Sequence, residues 1–310
     1  MTAVRRTEGQ DAGADWHYGD PRREQRLLLA GEAGVDLSHR PVFSVSGPER
    51  LTWLNAIASQ ELATLQPGVP VTTYILNAQG HISHVFGGTD DGGTFWGHTE
   101  PGHADALLAW LRRMVFAARV EIAEHPDKAL VLPAGAPAPA VVDAVAVEDV
   151  LGGNRAGTWA MDAVRIAAGQ PRTFLDTDER TIPNELANPS GDLLGPATHL
   201  AKGCYPGQET VARIYNLGRP PRRLALLHLD GSVEALPAVG ADVLADGRVV
   251  GRMGTSERHY ELGPIGLALL KRQVPTEAAL VVDGIAAGQE VLVDPEAGLH
   301  WRPEPGLGRR

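Results

Sequence analysis

The chain changes texture at Pro220 and Pro221, and that change most limits what it can fold into. From there on "RRLALLHLDG", "ADVLAD", "RVVGRMG", "GPIGLALLK" and "AALVVDG" are short strands between Gly- and Asp-rich turns. Regular short strands of this kind close into a small antiparallel barrel or sandwich. We place a barrel domain at 222–302 and a tail at 303–310, within "RPEPGLGRR".

Ahead of the boundary, helices and hairpins mix. "VFSVSG" alternates as a half-buried strand and stops at Gly47. "SGPERLTWLNAIASQEL" predicts a helix with Ser46 near its cap, Pro48 in its first turn, and Leu51, Leu54, Ile57, Ala58 and Leu62 at helical spacing. Two alternating runs flank "NAQG", predicting a hairpin of 71–76 with 81–86. "PGHADALLAWLRRMVF" is a second helix with Ala104, Leu107, Leu108 and Leu111 on one face, and "TWAMDAVRIAAG" a third, ended by Gly169 and Pro171. "ARVEIAEH" and "KALVLPAG" predict strands, followed by the Pro/Ala connector "PAGAPAPA". This order fits an α+β fold better than a parallel βαβ repeat. Residues 1–20 are polar and expected to be loose and flexible.

Composition excludes several classes. A net charge of -10 leaves no general basic footprint, and no run interleaves basic and aromatic residues, so direct nucleic-acid binding is not expected. No stretch has the roughly 18 apolar residues that cross a bilayer. The start "MTAVRRTEGQDAGADW" lacks an apolar core behind its arginines and does not read as a signal peptide. A single cysteine forms no internal disulfide. The expectation is a soluble, cytoplasmic protein.

That cysteine, Cys204, lies in "KGCYPGQET". Pro206 and Gly207 suit a type II turn, and "GQETVARIYNL" predicts a helix beginning just after it. The unpaired amides of a helix start and the ammonium of Lys202 both favour a thiolate, the form that reacts. The competing reading is a small buried hydrophobe. A metal site lacks support: there is no second thiolate, and the 11 histidines show neither HxxxH nor HExxH spacing.

Two further elements carry chemistry. "RIYNLGRPPRR" gathers Arg213, Arg219, Arg222 and Arg223, with Tyr205 and Tyr215 nearby, in an otherwise acidic chain. It reads either as a solvated linker or as an anion site, since arginine grips carboxylate or phosphate through two parallel hydrogen bonds. In "TIPNEL", Glu185 follows Pro183 and reads either as an exposed helix-start glutamate or as a carboxylate accepting two adjacent N–H groups of a heterocycle.

"KGCYPGQE" resembles the signature K-G-C-Y/F-x-G-Q-E of the YgfZ family of folate-binding proteins. Lys202, Gly203, Cys204, Tyr205, Gly207, Gln208 and Glu209 match every specified position. "FSVSGPERLTWLNAI", "LNAQGHI", "RIAAGQPRTFLDTDERTIPNEL", "LGRPPRRLALL" and "VVGRMGTS" resemble successive landmarks of that family and of the wider family containing the glycine-cleavage T-protein, over roughly residues 33–300. The resemblance implies three domains around a central folate cavity: two intertwined α+β domains in 21–221 and a β-barrel. It implies tetrahydrofolate or a derivative as ligand, with Glu185 on the pterin, Asn77 at the cavity rim, and Arg213, Arg219 and Arg223 on the glutamate tail; Tyr205 and Tyr215, close to these in sequence, are read as supports for a planar ring. It further implies a role in synthesis or repair of iron–sulfur clusters in client enzymes, including a tRNA-methylthiolating one, with Cys204 as reactive group and Lys202 beside it. The alternative is a tetrahydrofolate-dependent aminomethyl transferase or demethylase. Against it, "GHISHVF" places His84 and Val85 where the transferases carry acids.

Overall fold

The computed structural model describes residues 2–296. The chain opens with β1 (Val4–Arg5) paired to β2 (Asp15–His17), then α1 (Pro21–Leu29), capped by Asp20 accepting from the Arg23 N–H. Residues 2–20 are therefore folded onto the body rather than loose. Asp11 is 2% exposed and receives both terminal nitrogens of Arg172, at 2.6 and 2.9 Å. Polarity read as looseness because the compensating arginine lies 161 residues away in the chain.

β3 (Ala33–Asp36), β4 (Val42–Ser46), α2 (Arg50–Ile57), β5 (Val71–Leu76), β6 (Ile82–Asp90), β7 (Thr94–His98), α3 (Ala104–Arg113) and β8 (Glu121–Glu124) follow. An antiparallel sheet runs β5-β6-β7-β4-β8. α2 and α3 cover one face of it, packing Leu54, Leu107, Leu108 and Leu111 against Phe43, Val45, Phe86 and Phe95. α2 stops at Ile57, short of the apolar spacing in the sequence. Leu62 still joins the same cluster because the chain folds back there.

The chain then forms β9 (Lys128–Leu132), β10 (Ala140–Asp143), α4 (Val147–Leu151), β11 (Asn154–Arg155) and α5 (Thr158–Ala167). A second sheet runs β10-β9-β3-β11, so β3 pairs with strands that come long after it in sequence. β12 (Pro189–Ser190), β13 (Leu193–Leu194) and α6 (Gln208–Leu217) lead to the boundary.

Past Pro221 the chain closes a barrel from β14 (Arg222–Leu229), β15 (Asp242–Ala245), β16 (Arg248–His259), β17 (Gly263–Lys271), β18 (Leu280–Val282) and β19 (Ile285–Val291). β19, in "IAAGQEV", has too few β-branched residues to read as a strand. It pairs with both β18 and β14, leaving no open edge. Asp246-Gly247 and Asp283-Gly284 make two-residue hairpin loops with both residues at positive φ, the type I′ geometry that Asp-Gly favours.

β14 is apolar on both faces, which explains the unbroken run "LALL". Ala225, Leu227 and Leu229 fill the barrel with Val243, Met253, Ala268 and Leu270. Leu224 and Leu226 face outward into a cluster with Tyr74, Ile82, Leu186, Tyr205 and Val211. That cluster joins the barrel to the rest of the chain. Among the described residues no helix is long and apolar enough to cross a membrane. The tail at 303–310, and the end of the 222–302 span, lie outside the described residues.

Candidate functional site

The motif loop is fastened at both ends. Its first anchor is the end of α2, where a helix leaves carbonyls without intrahelical partners. Lys202 donates its three ammonium hydrogens to the carbonyls of Asn55, Ala58 and Gln60, at 2.6, 2.6 and 2.9 Å. The residues before it are stitched to the same stretch: Ser59 Oγ donates to the Ala197 carbonyl at 2.6 Å, and Gln60 Nε2 to the Pro196 carbonyl at 2.8 Å. Lys202 is 6% exposed, and burial pulls its ammonium down to about 8. An ammonium has three N–H groups, and all are used, so Lys202 has none left for a thiolate. The expected electrostatic pairing with Cys204 gives way to a clamp on α2.

The second anchor is Tyr205, 7% exposed in the junction cluster, its ring 5.1 Å from Lys202 Nζ. Burial pushes its phenol up to about 12. It is a packed anchor and not a platform open to a ligand ring. The Gln208 N–H donates to the Tyr205 carbonyl at 3.3 Å, and Gly207 has φ 78 and ψ -4, which completes the expected type II turn. A Cβ at Gly207 would stand 2.5 Å from the Asn77 carbonyl oxygen, so glycine is required there by conformation and by space. The hairpin turn thus sits directly against the motif. Asn77 Oδ1 accepts from the N–H groups of Gln79 and His81, at 2.9 and 3.0 Å, and so holds its own turn.

Between these anchors Cys204 is exposed. Gln208 Nε2 closes the loop by donating to the Lys202 carbonyl at 3.2 Å, and Glu209 stands exposed in the first turn of α6. Nothing in the structure explains Gly203: a Cβ there meets no atom within 4 Å and φ is not left-handed.

Glu185 ends a 3₁₀ turn, Pro183–Glu185, and is 0% exposed. Its carboxylate accepts from the Ile182 N–H at 3.2 Å and from Arg222 Nε and Nη2 at 2.9 and 2.8 Å. The other edge of the same guanidinium donates to Asp178, Nη1 to Oδ2 at 2.5 Å and Nη2 to Oδ1 at 3.0 Å. Burial disfavours the Arg222 charge, but the hydrogen bonds it donates to Glu185 and Asp178 outweigh this and hold the guanidinium above its ordinary range. Burial likewise opposes the Asp178 charge, and the bonds from Arg222 and Thr181 prevail, bringing it to about 2.

The arginines do not form one cluster. Arg223 points into the barrel, 0% exposed, donating to the Val274 carbonyl and to Gln289. Alternation along β14 sends it inward and its neighbour Arg222 outward. Arg219 pairs with Glu296 at 2.7 Å, and Arg213 is exposed on α6. With Glu185 already held by Arg222 and Arg223 inside the barrel, these residues, as arranged, do not fit a pterin at one end and a glutamate tail at the other.

His84 lies opposite Ile75 on the helix-covered face of its sheet, 6.1 Å from the Trp110 ring, whereas Val85 faces the junction cluster beside Tyr74. Burial, together with His103 and Arg113, lowers the His84 imidazole.

Sequence reasoning missed the charges at the junction. Arg172 joins Asp11 to Glu100, and Arg165 joins Asp162, Asp176 and Thr255, all buried. Only the i,i+3 pair Asp162–Arg165 carried a local signal. Among the described residues no group of three or more His, Cys, Asp or Glu is placed to hold a metal ion.

Comparison with known proteins extends these observations. Residues 222–295 match the family model described as CAF17, C-terminal beta-barrel domain. The crystal structure of glycine cleavage system aminomethyltransferase T from Bartonella henselae matches with a TM-score of 0.74 at 17% identity, over 97% of this chain and 96% of that one. At that identity the likeness establishes the fold: α+β, with a closed antiparallel C-terminal barrel. A chloroplastic Arabidopsis thaliana protein named as a transferase is 29% identical over 136 residues, 44% of this chain. The chain spans only 28% of that relative's length.

Proposed function

Taking the chain as YgfZ-like, with the fold of the T-protein, we propose that it is a folate-dependent accessory protein for the synthesis or repair of iron–sulfur clusters in client enzymes, acting through Cys204. The observation that carries this reading is the presentation of the thiol. Cys204 is exposed, while Lys202, two residues before it, and Tyr205, the residue after it, are buried anchors. A packing cysteine has no need of this arrangement; a thiol that must meet a partner protein does. Such a thiolate attacks the outer sulfur of a partner's persulfide, taking that sulfur as the partner's thiolate leaves, or attacks a disulfide and releases one of its thiolates as the mixed disulfide forms. Tetrahydrofolate is the ligand class that the family resemblance supports, and the disposition of Glu185 and Arg222 bears on how it is admitted.

The test is Cys204→Ser in cells lacking the protein. The variant is expected to keep the fold and folate binding, measured by calorimetry, and to lose restoration of an iron–sulfur client's activity under oxidative stress. Full restoration by the serine variant sinks the reading. The overall fold leaves aminomethyl transfer as a second reading; Val85, which cannot act as a base, holds the junction face of β6 while His84 lies on the other face, and this weighs against it.

A further inference from the structure

We infer that Arg222 is an internal occupant of the Glu185 site, a guanidinium that closes it and is displaced by a planar heterocycle carrying the same two-donor edge. The inference rests on the folate reading only for which heterocycle that is.

Glu185 is fully buried and its carboxylate orientation is fixed by the Ile182 N–H and the 3₁₀ turn. Both its oxygens receive the Nε–Nη2 edge of Arg222. That edge offers two parallel N–H groups in one plane. A 2-amino-4-oxo heterocycle offers the same pair, a ring N–H beside an exocyclic amine. One carboxylate accepts one such edge in this geometry, so arginine and heterocycle compete for it.

Arg222 also has somewhere to go. Its opposite edge already lies on Asp178, with Thr181 Oγ1 at 3.3 Å from Nη2. The Arg222 and Asp178 side chains are 20% and 21% exposed, against 0% for Glu185. The guanidinium therefore lies between an inner and an outer carboxylate and keeps an ionic partner when it leaves the inner one. Arg222 is the first residue of β14, directly after the Pro220-Pro221 junction, so a small shift of the barrel strand moves it.

The experiment titrates 6-methylpterin and 5-formyltetrahydrofolate into the full chain by calorimetry, with Arg222→Met, Asp178→Asn and Glu185→Gln. Removing the competitor predicts binding to Arg222→Met about tenfold tighter than to wild type. Asp178→Asn removes the outer berth and binds more weakly than wild type. Glu185→Gln loses binding. Arg222→Met leaves a buried carboxylate unpaired and loses stability, so a second readout accompanies it. Methylguanidinium at millimolar concentration is expected to raise the Tm of Arg222→Met and leave wild type unchanged. Weaker pterin binding by Arg222→Met makes Arg222 a ligand contact and overturns the inference while the folate reading stands. Rescue by methylguanidinium with no pterin bound by any variant upholds the site's chemistry and overturns the folate reading. No rescue together with unchanged pterin affinity overturns the inference.

Discussion

Two regions of this molecule bury charge by opposite means. In the motif loop the ammonium of Lys202 is surrounded by three backbone carbonyls, with no carboxylate in its shell. At the junction, Arg6, Arg40, Arg165 and Arg172 meet Asp11, Glu100, Asp162 and Asp176, four cations against four anions. The first arrangement fixes one loop to one helix end, using groups that every residue carries. The second ties the N-terminal pairing, the first sheet, α5 and the barrel together, and needs particular side chains from each. A carbonyl cage has no acid limb, because carbonyls do not titrate. A carboxylate network does.

The largest effect tests the cage. Lys202→Met leaves two buried carbonyls and a partly buried one without donors, and at roughly 1–3 kcal/mol each, partly relaxed, it is expected to lose about 3–6 kcal/mol in urea denaturation. A loss below about 1 kcal/mol means that water replaces the ammonium and the clamp is dispensable.

The next sharpens what the loop requires. Gly207→Ala places a side chain at φ 78 and against the Asn77 carbonyl, which adds left-handed strain to overpacking and is expected to cost about 2–5 kcal/mol. Gly203→Ala, the residue directly after the clamp, is expected to stay within about 0.5 kcal/mol. Equal losses at the two positions would show that the docking of the hairpin turn on the motif is not what holds the loop.

The third addresses the junction through a fifth carboxyl. Glu257 on β16 is 7% exposed, lies close to Asp162, and has no ion-pair partner among the described residues; its Oε1 accepts only the Arg258 N–H. Burial raises it to about 7 from an ordinary 4.5, with Asp162 adding to the rise while that N–H bond, Arg6 and Arg258 oppose it. The folded state then holds a proton that the unfolded chain has already released. Its contribution is fully present below 4.5, falls as pH rises, and is gone above about 7. Wild type is expected to lose about 3 kcal/mol across that window relative to Glu257→Gln, whose profile lacks this slope. Superimposable stability–pH curves for the two would remove Glu257 from the balance. Asp178 acts in the opposite sense: its stabilisation is present above 3.8 and lost as pH falls through about 2.

Legibility in the sequence followed the range of the interaction. The Pro206-Gly207 turn, the hairpin around "NAQG" and the barrel's Asp-Gly loops were readable because a few adjacent residues dictate their dihedral angles. β19 was missed because a strand of alanines and glycine owes its existence to closing the barrel rather than to propensity. Within "RPPRR" the two final arginines look equivalent. Strand alternation sends Arg223 into the barrel and Arg222 onto Glu185, a distinction that requires knowing where β14 starts and which face is inside.

The sequence by itself determined the α+β character, the barrel beginning after Pro221, and the motif that singles out Cys204, because these rest on periodicity, turn chemistry and residue identity along a continuous stretch. Only the tertiary structure decided that Cys204 is exposed, that Lys202 serves the end of α2 instead of the thiol, and that Glu185 is already occupied. Those outcomes depend on which distant groups the packed fold brings to a limited number of hydrogen-bonding positions. The carbonyl of Ala58 lies 144 residues from Lys202, and Arg222 lies 37 from Glu185. Over such separations nothing in the local sequence orders the competitors; packing the barrel against the sheets does.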